Sequence, residues 1–182
     1  MRKPLLILLA AVAAIVVVAA VVVAMQPSDF RVSRTATLDA PADKLFQQVN
    51  DFHNWQAWSP WAKLDPAMKV EYDGPPAGMG AIYHWAGNAQ VGEGRATIVE
   101  SRPNEFVRIQ LDFVQPMAGT DIAEFAFRPS GDKTEVTWSI AGKNGFLAKA
   151  VNLIFGMEET VGGMFEQGLA DLNTAAKTAP AS

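Results

Sequence analysis

An unbroken apolar run near the start most limits what this chain can become: every residue from Leu5 to Met25 is Leu, Ile, Val, Ala or Met. At about 1.5 Å of rise per residue, such a run is roughly 30 Å long as a helix, the thickness of the hydrocarbon core of a bilayer. Thirteen of its positions are Leu, Ile or Val. At about 0.3–0.6 kcal/mol each near a helix centre, they favour insertion by roughly 4–8 kcal/mol in gross terms. Arg2 and Lys3 precede the run, which keeps the N-terminus in the cytoplasm and sends everything after Gln26 across the membrane. A cleaved signal peptide is the competing reading, but its apolar core spans only about 7–15 residues, and Val22 and Ala24 do no more than imitate a cleavage site. The expectation is an uncleaved single-pass inner-membrane anchor over residues 1–25 and a polar linker over 26–29. A domain over 30–177 would follow on the periplasmic or other extracytoplasmic side, with a frayed tail over 178–182.

The exported part must stand on its own core. The chain has no cysteine, so disulfides, a thiolate nucleophile and Cys-ligated zinc are excluded. Setting Arg2 and Lys3 aside leaves 13 basic against 19 acidic residues, near −6 and without basic clusters, which argues against a nucleic-acid partner.

Periodicity then divides the domain. Phe30–Leu38 alternates apolar and polar residues as a half-buried strand does. Pro41 is tolerated in a first helical turn, and Leu45, Phe46 and Val49 fall at helical spacing, so a short helix is expected to about Asn50. A second short helix is expected in DFHNWQAWSPW, stopping before Pro60 because the residue before a proline disfavours the helical region. From Met68 onward, six apolar-polar stretches are separated by Gly, Pro, Asn and Asp clusters, the pattern of consecutive antiparallel strands with one solvated face. Beyond Lys143 a stripe of Val161, Met164, Phe165, Gly168, Leu169, Leu172 and Ala176 predicts one long amphipathic C-terminal helix. Its apolar face can be covered only by the concave face of the sheet. The expected fold class is α+β: a helix-grip fold in which a curved antiparallel sheet wraps a long C-terminal helix, preceded by one transmembrane helix.

Several separated segments agree in order with a known family. WQAWSPW followed by Asp65-Pro66, then GMGAIYHWAGN, VGEGRATIVES and GLADLN, make the chain resemble the polyketide cyclase/dehydrase branch of the START-related SRPBCC superfamily over nearly all of Phe30–Lys177. The resemblance implies a deep cavity between sheet and C-terminal helix. It does not fix a chemistry, because the superfamily includes lipid carriers, ligand binders, cyclases and chaperone activators.

Motifs for catalysis are sparse. There is no GxSxG, and the two histidines, His53 and His84, lack HxH or HExxH spacing, so neither a triad nor a metal site is expected. No cofactor is expected either. Gly78, Gly80, Gly92 and Gly94 do not open a helix after a strand, which excludes a dinucleotide cradle and leaves sheet glycines that permit bends and close approach. Glu158 and Glu159 diverge by about 100° on a helix and suit its N-terminal turn. Aromatic residues are the informative class. Trp55, Trp58 and Trp61 lie three apart before the sheet, and Tyr83, Trp85, Phe113, Phe125 and Trp138 occupy strands whose inward faces should meet. These, with Ala96, Ile109, Leu111 and, from the last helix, Val161, Phe165 and Leu169, are the expected wall of a site for a hydrophobic or lipid-like small molecule, bound without chemistry. Two rivals stay open. An enzyme of cyclase, dehydratase or hydrolase type would need an ionisable group in the cavity, for which Glu93, His84, Arg95 and Tyr83 are the candidates. A protein-interaction module would instead expose the tryptophans.

Overall fold

The computed structural model describes residues 2–178; the expected tail past Thr178 lies outside the described residues. The apolar run forms α1 (Arg2–Met25), whose stretch Leu6–Met25 has the length and composition of a membrane span. After the linker, β1 (Asp29–Leu38) leads into helices, and six strands follow: β2 (Lys69–Asp73), β3 (Ile82–Ala86), β4 (Glu93–Arg102), β5 (Phe106–Gln115), β6 (Gly119–Ser130) and β7 (Lys133–Lys143). The six pair in sequence, every pair antiparallel, and β1 adds at the free edge of β7 to give the order β1-β7-β6-β5-β4-β3-β2.

Alternation sorts the two faces. Val32, Ala96, Ile109, Ala123, Phe125 and Trp138 are buried on the concave side. On the convex side Arg108 bridges Glu124 (3.0 Å) and Glu100, and Arg31 reaches Glu124 at 3.3 Å. The register between β4 and β5 shifts at Glu93/Gly94 and at Ile98/Glu100, and such bulges bend and twist a sheet. Gly94 is required there: a Cβ would lie 2.5 Å from the Trp85 ring and 2.6 Å from the Asp112 carbonyl oxygen. Of the four glycines expected within strands, only Gly94 is in one. Gly78, Gly80 and Gly92 occupy turns at φ of 77°, 89° and 71°, where side-chain-bearing residues are disfavoured.

The helical segment between β1 and β2 departs from expectation. α2 (Ala42–Asn50) is followed by a 3-10 turn at Phe52–Asn54, then α3 (Trp55–Trp58) and α4 (Pro60–Leu64). The single helix expected before Pro60 is thus joined by a second that Pro60 opens. Ser59, the residue before the proline, is extended at φ −64°, ψ 127°, and Pro60 suits a first helical turn because its missing N–H has no helical partner there.

The expected long C-terminal helix is α6 (Met157–Thr178), and a shorter helix that the stripe does not predict, α5 (Phe146–Phe155), precedes it. Gly156 separates them with φ 64°, the left-handed residue that ends many helices. α6 buries Phe165, Gly168, Leu169, Leu172 and Ala176 against the concave face, the 3–4 spacing of an amphipathic helix. Leu45, Val49, Phe52, Trp58, Ile98, Val107, Ile109 and Leu172 are at most 1% exposed and fill the grip solidly. The register places the starts of β1, β4 and β6 and the ends of β3, β5 and β7 along one rim of the sheet, the rim that carries the linker.

Candidate functional site

Toward the linker rim the packing between sheet and helices opens into a cleft. It holds about 710 Å³ of unfilled space, mouth included, of which about 110 Å³ is roomy enough for a water-sized group. Its floor comes from Tyr83 and Trp85 of β3, Ala96 of β4, Leu111 and Phe113 of β5, Ala123 and Phe125 of β6, and Trp138 and Ile140 of β7. Trp55, Ser59 and Trp61 from the short helices, Phe165 from α6, and Met68 and Val91 from loops complete the wall. The space exists because Ala96 and Ala123, on the two strands flanking β5, present only methyl groups where larger side chains would fill it.

The wall is aromatic and held rigidly. Trp138 stacks on Phe165 (4.0 Å, 11°) and on Phe125 (4.8 Å, 26°), while Trp61 meets it edge-on at 5.8 Å. Trp85 lies edge-on to Phe113 at 5.7 Å and Tyr83 stacks on Trp85 at 6.1 Å. Such offset and edge geometries are the favoured aromatic contacts and lock their rotamers against one another. The Trp55 indole N–H donates to the Val49 carbonyl at 3.0 Å, so it is already satisfied. Among the described residues no charged side chain lines the cleft. A closed apolar cavity of about 150 Å³ holds a benzene-sized guest; the roomy part of this cleft is smaller, so a short branch fits between the walls as they stand and a ring or a longer chain would extend into the mouth.

Four residues expected on the wall are not there. Trp58 is fully buried, donates its indole N–H to the Gln48 carbonyl at 3.0 Å and meets Phe125 and Trp138 edge-on. Ile109 and Leu169 belong to the solid half of the core. Val161 is half-buried on a turn of α6 that lies over β1, where the neighbouring Gly162 meets the Arg34 guanidinium. Conversely, Ser59, Met68, Val91, Ala123 and Ile140 line the cleft and are not in the expected wall. Ile140 was legible, since it shares strand parity with Trp138; Met68 and Val91 sit in loops, where periodicity is silent.

The candidates for chemistry disperse. Glu93 is exposed at the bulge. His84 points outward and contacts Asp73 at 3.1 Å, while His53 contacts Asp51 at 2.7 Å and stacks on Tyr72 at 4.0 Å. Arg95 pairs with Asp112 on the convex face at 2.8 Å, and that hydrogen bond holds the Asp112 carboxyl below its usual range. Tyr83 alone faces the cleft. Burial, and then the neighbouring Tyr72, push its phenol well above the ordinary value, so it remains protonated and can donate a hydrogen bond but not act as a base. Among the described residues no three His, Asp or Glu side chains converge as a metal site would need.

Asp121 was not singled out from the sequence. It shares parity with Ala123 and Phe125, so it lies on the concave face at the linker rim, opposite Leu111, with its carboxylate over Gly142. Burial raises its carboxyl to about 6. The same strand parity that marks Phe125 could have found it.

The match to known proteins follows this geometry. Residues 29–177 match the family model described as polyketide cyclase / dehydrase and lipid transport. No curated protein matches. Among solved structures, protein CV1439 of Chromobacterium violaceum is 16% identical, covers 85% of this chain and 100% of its own, and superposes with a TM-score of 0.59. Protein MLL2253 of Mesorhizobium loti is 13% identical over 84% of this chain and 100% of its own, with a TM-score of 0.60. The Aha1 dimer of Colwellia psychrerythraea gives 13%, 84%, 99% and 0.59 in the same terms. At these identities the likeness is one of fold. With the family model spanning the whole grip from β1 to α6, the chain belongs to the polyketide cyclase / dehydrase and lipid transport family.

Proposed function

We propose that this protein binds a hydrophobic or lipid-like small molecule in the cleft between sheet and α6, at the outer face of the membrane that α1 spans, and that it does so without transforming it. The observation that carries this reading is the wall itself: aromatic and aliphatic side chains, small residues at Ala96 and Ala123 that keep the space open, and no charge. An apolar cavity with few polar groups favours ligands by removing apolar surface from water, and its hydroxyls set orientation. The Tyr83 phenol is suited to donate one hydrogen bond to a polar head. The family's description includes lipid transport, which agrees with such a ligand. Against an interaction module with exposed tryptophans stand Trp55 and Trp58, 9% and 0% exposed, and Trp61, half-buried in the cleft wall.

Native mass spectrometry of the full chain, extracted from membranes in mild detergent, tests the reading. A co-purified hydrophobic molecule at one per chain is the expected result. A chain that emerges empty and also takes up no hydrophobic fluorescent probe would overturn it.

A further inference from the structure

α5 carries apolar side chains that the grip does not use. Phe146, Leu147, Leu153 and Ile154 are 53–73% exposed and Val151 38%. At about 100° per residue, these five fall within an arc of roughly 160° on one side of the helix. Lys149 and Asn152 lie on the other side, where, with Leu153 at the edge of the apolar arc, they border a crevice with Gln26 and Asp29 of the linker region. A helix apolar on its outer face and polar toward its own protein has the pattern reversed for life in water.

Its position supplies the reason. The Asn144 N–H donates to the Ser28 carbonyl at 2.7 Å, and Ser28 lies three residues past the end of α1, while α5 begins two residues past Asn144. α1 packs against α5, and Val23 in its last turn is the one buried residue of α1 among those described. If α1 crosses the bilayer, its last turn sits at the edge of the hydrocarbon, and α5 sits beside it.

We propose that α5 lies in the membrane surface as a second membrane contact, its Phe146, Leu147, Val151 and Ile154 side chains sunk into the boundary between headgroups and acyl chains. The proposal rests on the reading of α1 as a membrane span. Ten residues with a single cation make a weak membrane binder alone. Tethered beside α1, however, the helix is already at the surface, so a modest preference suffices. The exposed Val114 at the end of β5 and Met117 of the β5–β6 connection stand on the same rim of the sheet. With α5 in the surface, this rim and the cleft near Phe113 and Val91 turn toward lipid. The ligand class this orientation favours is a membrane-resident amphiphile that enters the cleft from the bilayer.

The chain has no cysteine, so single cysteines can carry an NBD fluorophore without background. The full chain is reconstituted into phosphatidylcholine/phosphatidylglycerol vesicles containing lipids with a nitroxide at acyl carbon 5 or carbon 12. Labels at Leu147→Cys and Ile154→Cys are expected to be quenched at least twofold, more strongly by carbon 5. A label at Val16→Cys, mid-span, should be quenched more strongly by carbon 12. A label at Asp132→Cys, in the turn at the opposite rim, should be unaffected. If positions 147 and 154 behave like 132 while 16 is quenched, the proposal is overturned, and blue-shifted emission without lipid quenching would mean that a second copy covers α5. If 16 is itself unquenched, the span reading and this proposal fall together. None of these signals depends on whether the cleft binds a ligand.

Discussion

Asp121 shows how one residue's environment becomes a property of the whole domain. Burial raises its carboxyl from 3.8 to about 6, so the folded state holds this proton more tightly than the unfolded chain. Between about pH 4 and 6 the native state therefore binds more protons than the unfolded one. This residue's contribution to stability accordingly falls as pH rises through that window, and the full penalty persists above it. Asp121→Asn removes the charge at nearly constant shape. The variant should be more stable than the parent at pH 7.5 by about 1–2 kcal/mol, a figure reduced from the full shift because the site is partly solvated, and no more stable at pH 4. Thermal melts of the detergent-solubilised chain at both pH values check this; an equal effect at both would refute the assignment. Ala123 tests the cleft at the same scale. In a filled core, Ala123→Phe would overpack and cost roughly 1–3 kcal/mol. Here the ring should enter the open space, leaving the melting temperature within a few degrees and weakening binding of a hydrophobic fluorescent probe at least tenfold, about 1.4 kcal/mol.

Two glycines of α6 put opposite demands on one helix. Gly163 is exposed, and a Cβ there would meet nothing within 4 Å; at Gly168 it would lie 2.7 Å from the Trp138 ring and 3.0 Å from Pro60. Glycine costs a helix interior roughly 0.5–1 kcal/mol relative to alanine. Gly163→Ala should thus stabilise by about that amount, whereas Gly168→Ala should destabilise by roughly 1–3 kcal/mol as helix and sheet are pushed apart. Chemical denaturation of both variants reads the signs, and a destabilising Gly163→Ala would mean that α6 is not regular at that turn. The boundary between α5 and α6 was also open to sequence reasoning. Gly156 follows an apolar stretch and precedes Glu158 and Glu159, a helix stop followed by a helix start. The stripe from Val161 onward obscured it, because α5 contributes little to the core that such stripes report.

For the whole molecule, orientation is the property to test. Arg2 and Lys3 precede α1, so the grip is expected outside the cytoplasm. Protease added to intact spheroplasts should degrade it while a cytoplasmic control survives, and protection of the grip would reverse the topology. The convex face of the sheet, with Arg31, Arg95 and Arg108 paired to Glu124, Asp112 and Glu100, would then be the surface presented to solvent. These pairs are largely exposed and individually contribute little to stability; their effect is to keep that face wet.

The membrane-length helix, the alternating strands and the amphipathic α6 could be read from the chain because each depends on a backbone period, 3.6 or 2 residues, that a local window contains. Strand parity likewise marked Tyr83, Trp85, Phe125 and Trp138 as inward. What no local window contains is where the inward side chains meet. The bulges of β4, the pairing of Ala96 with Leu111 and of Ala123 with Ile109, and the placement of α6 decide that Trp58, Ile109 and Leu169 are packed solid while Phe113, Ile140 and Phe165 border open space. The same long-range closure buries Asp121 at the rim and sets α5 beside the end of α1. Periodicity tells which way a side chain points; only the folded sheet determines what it points at.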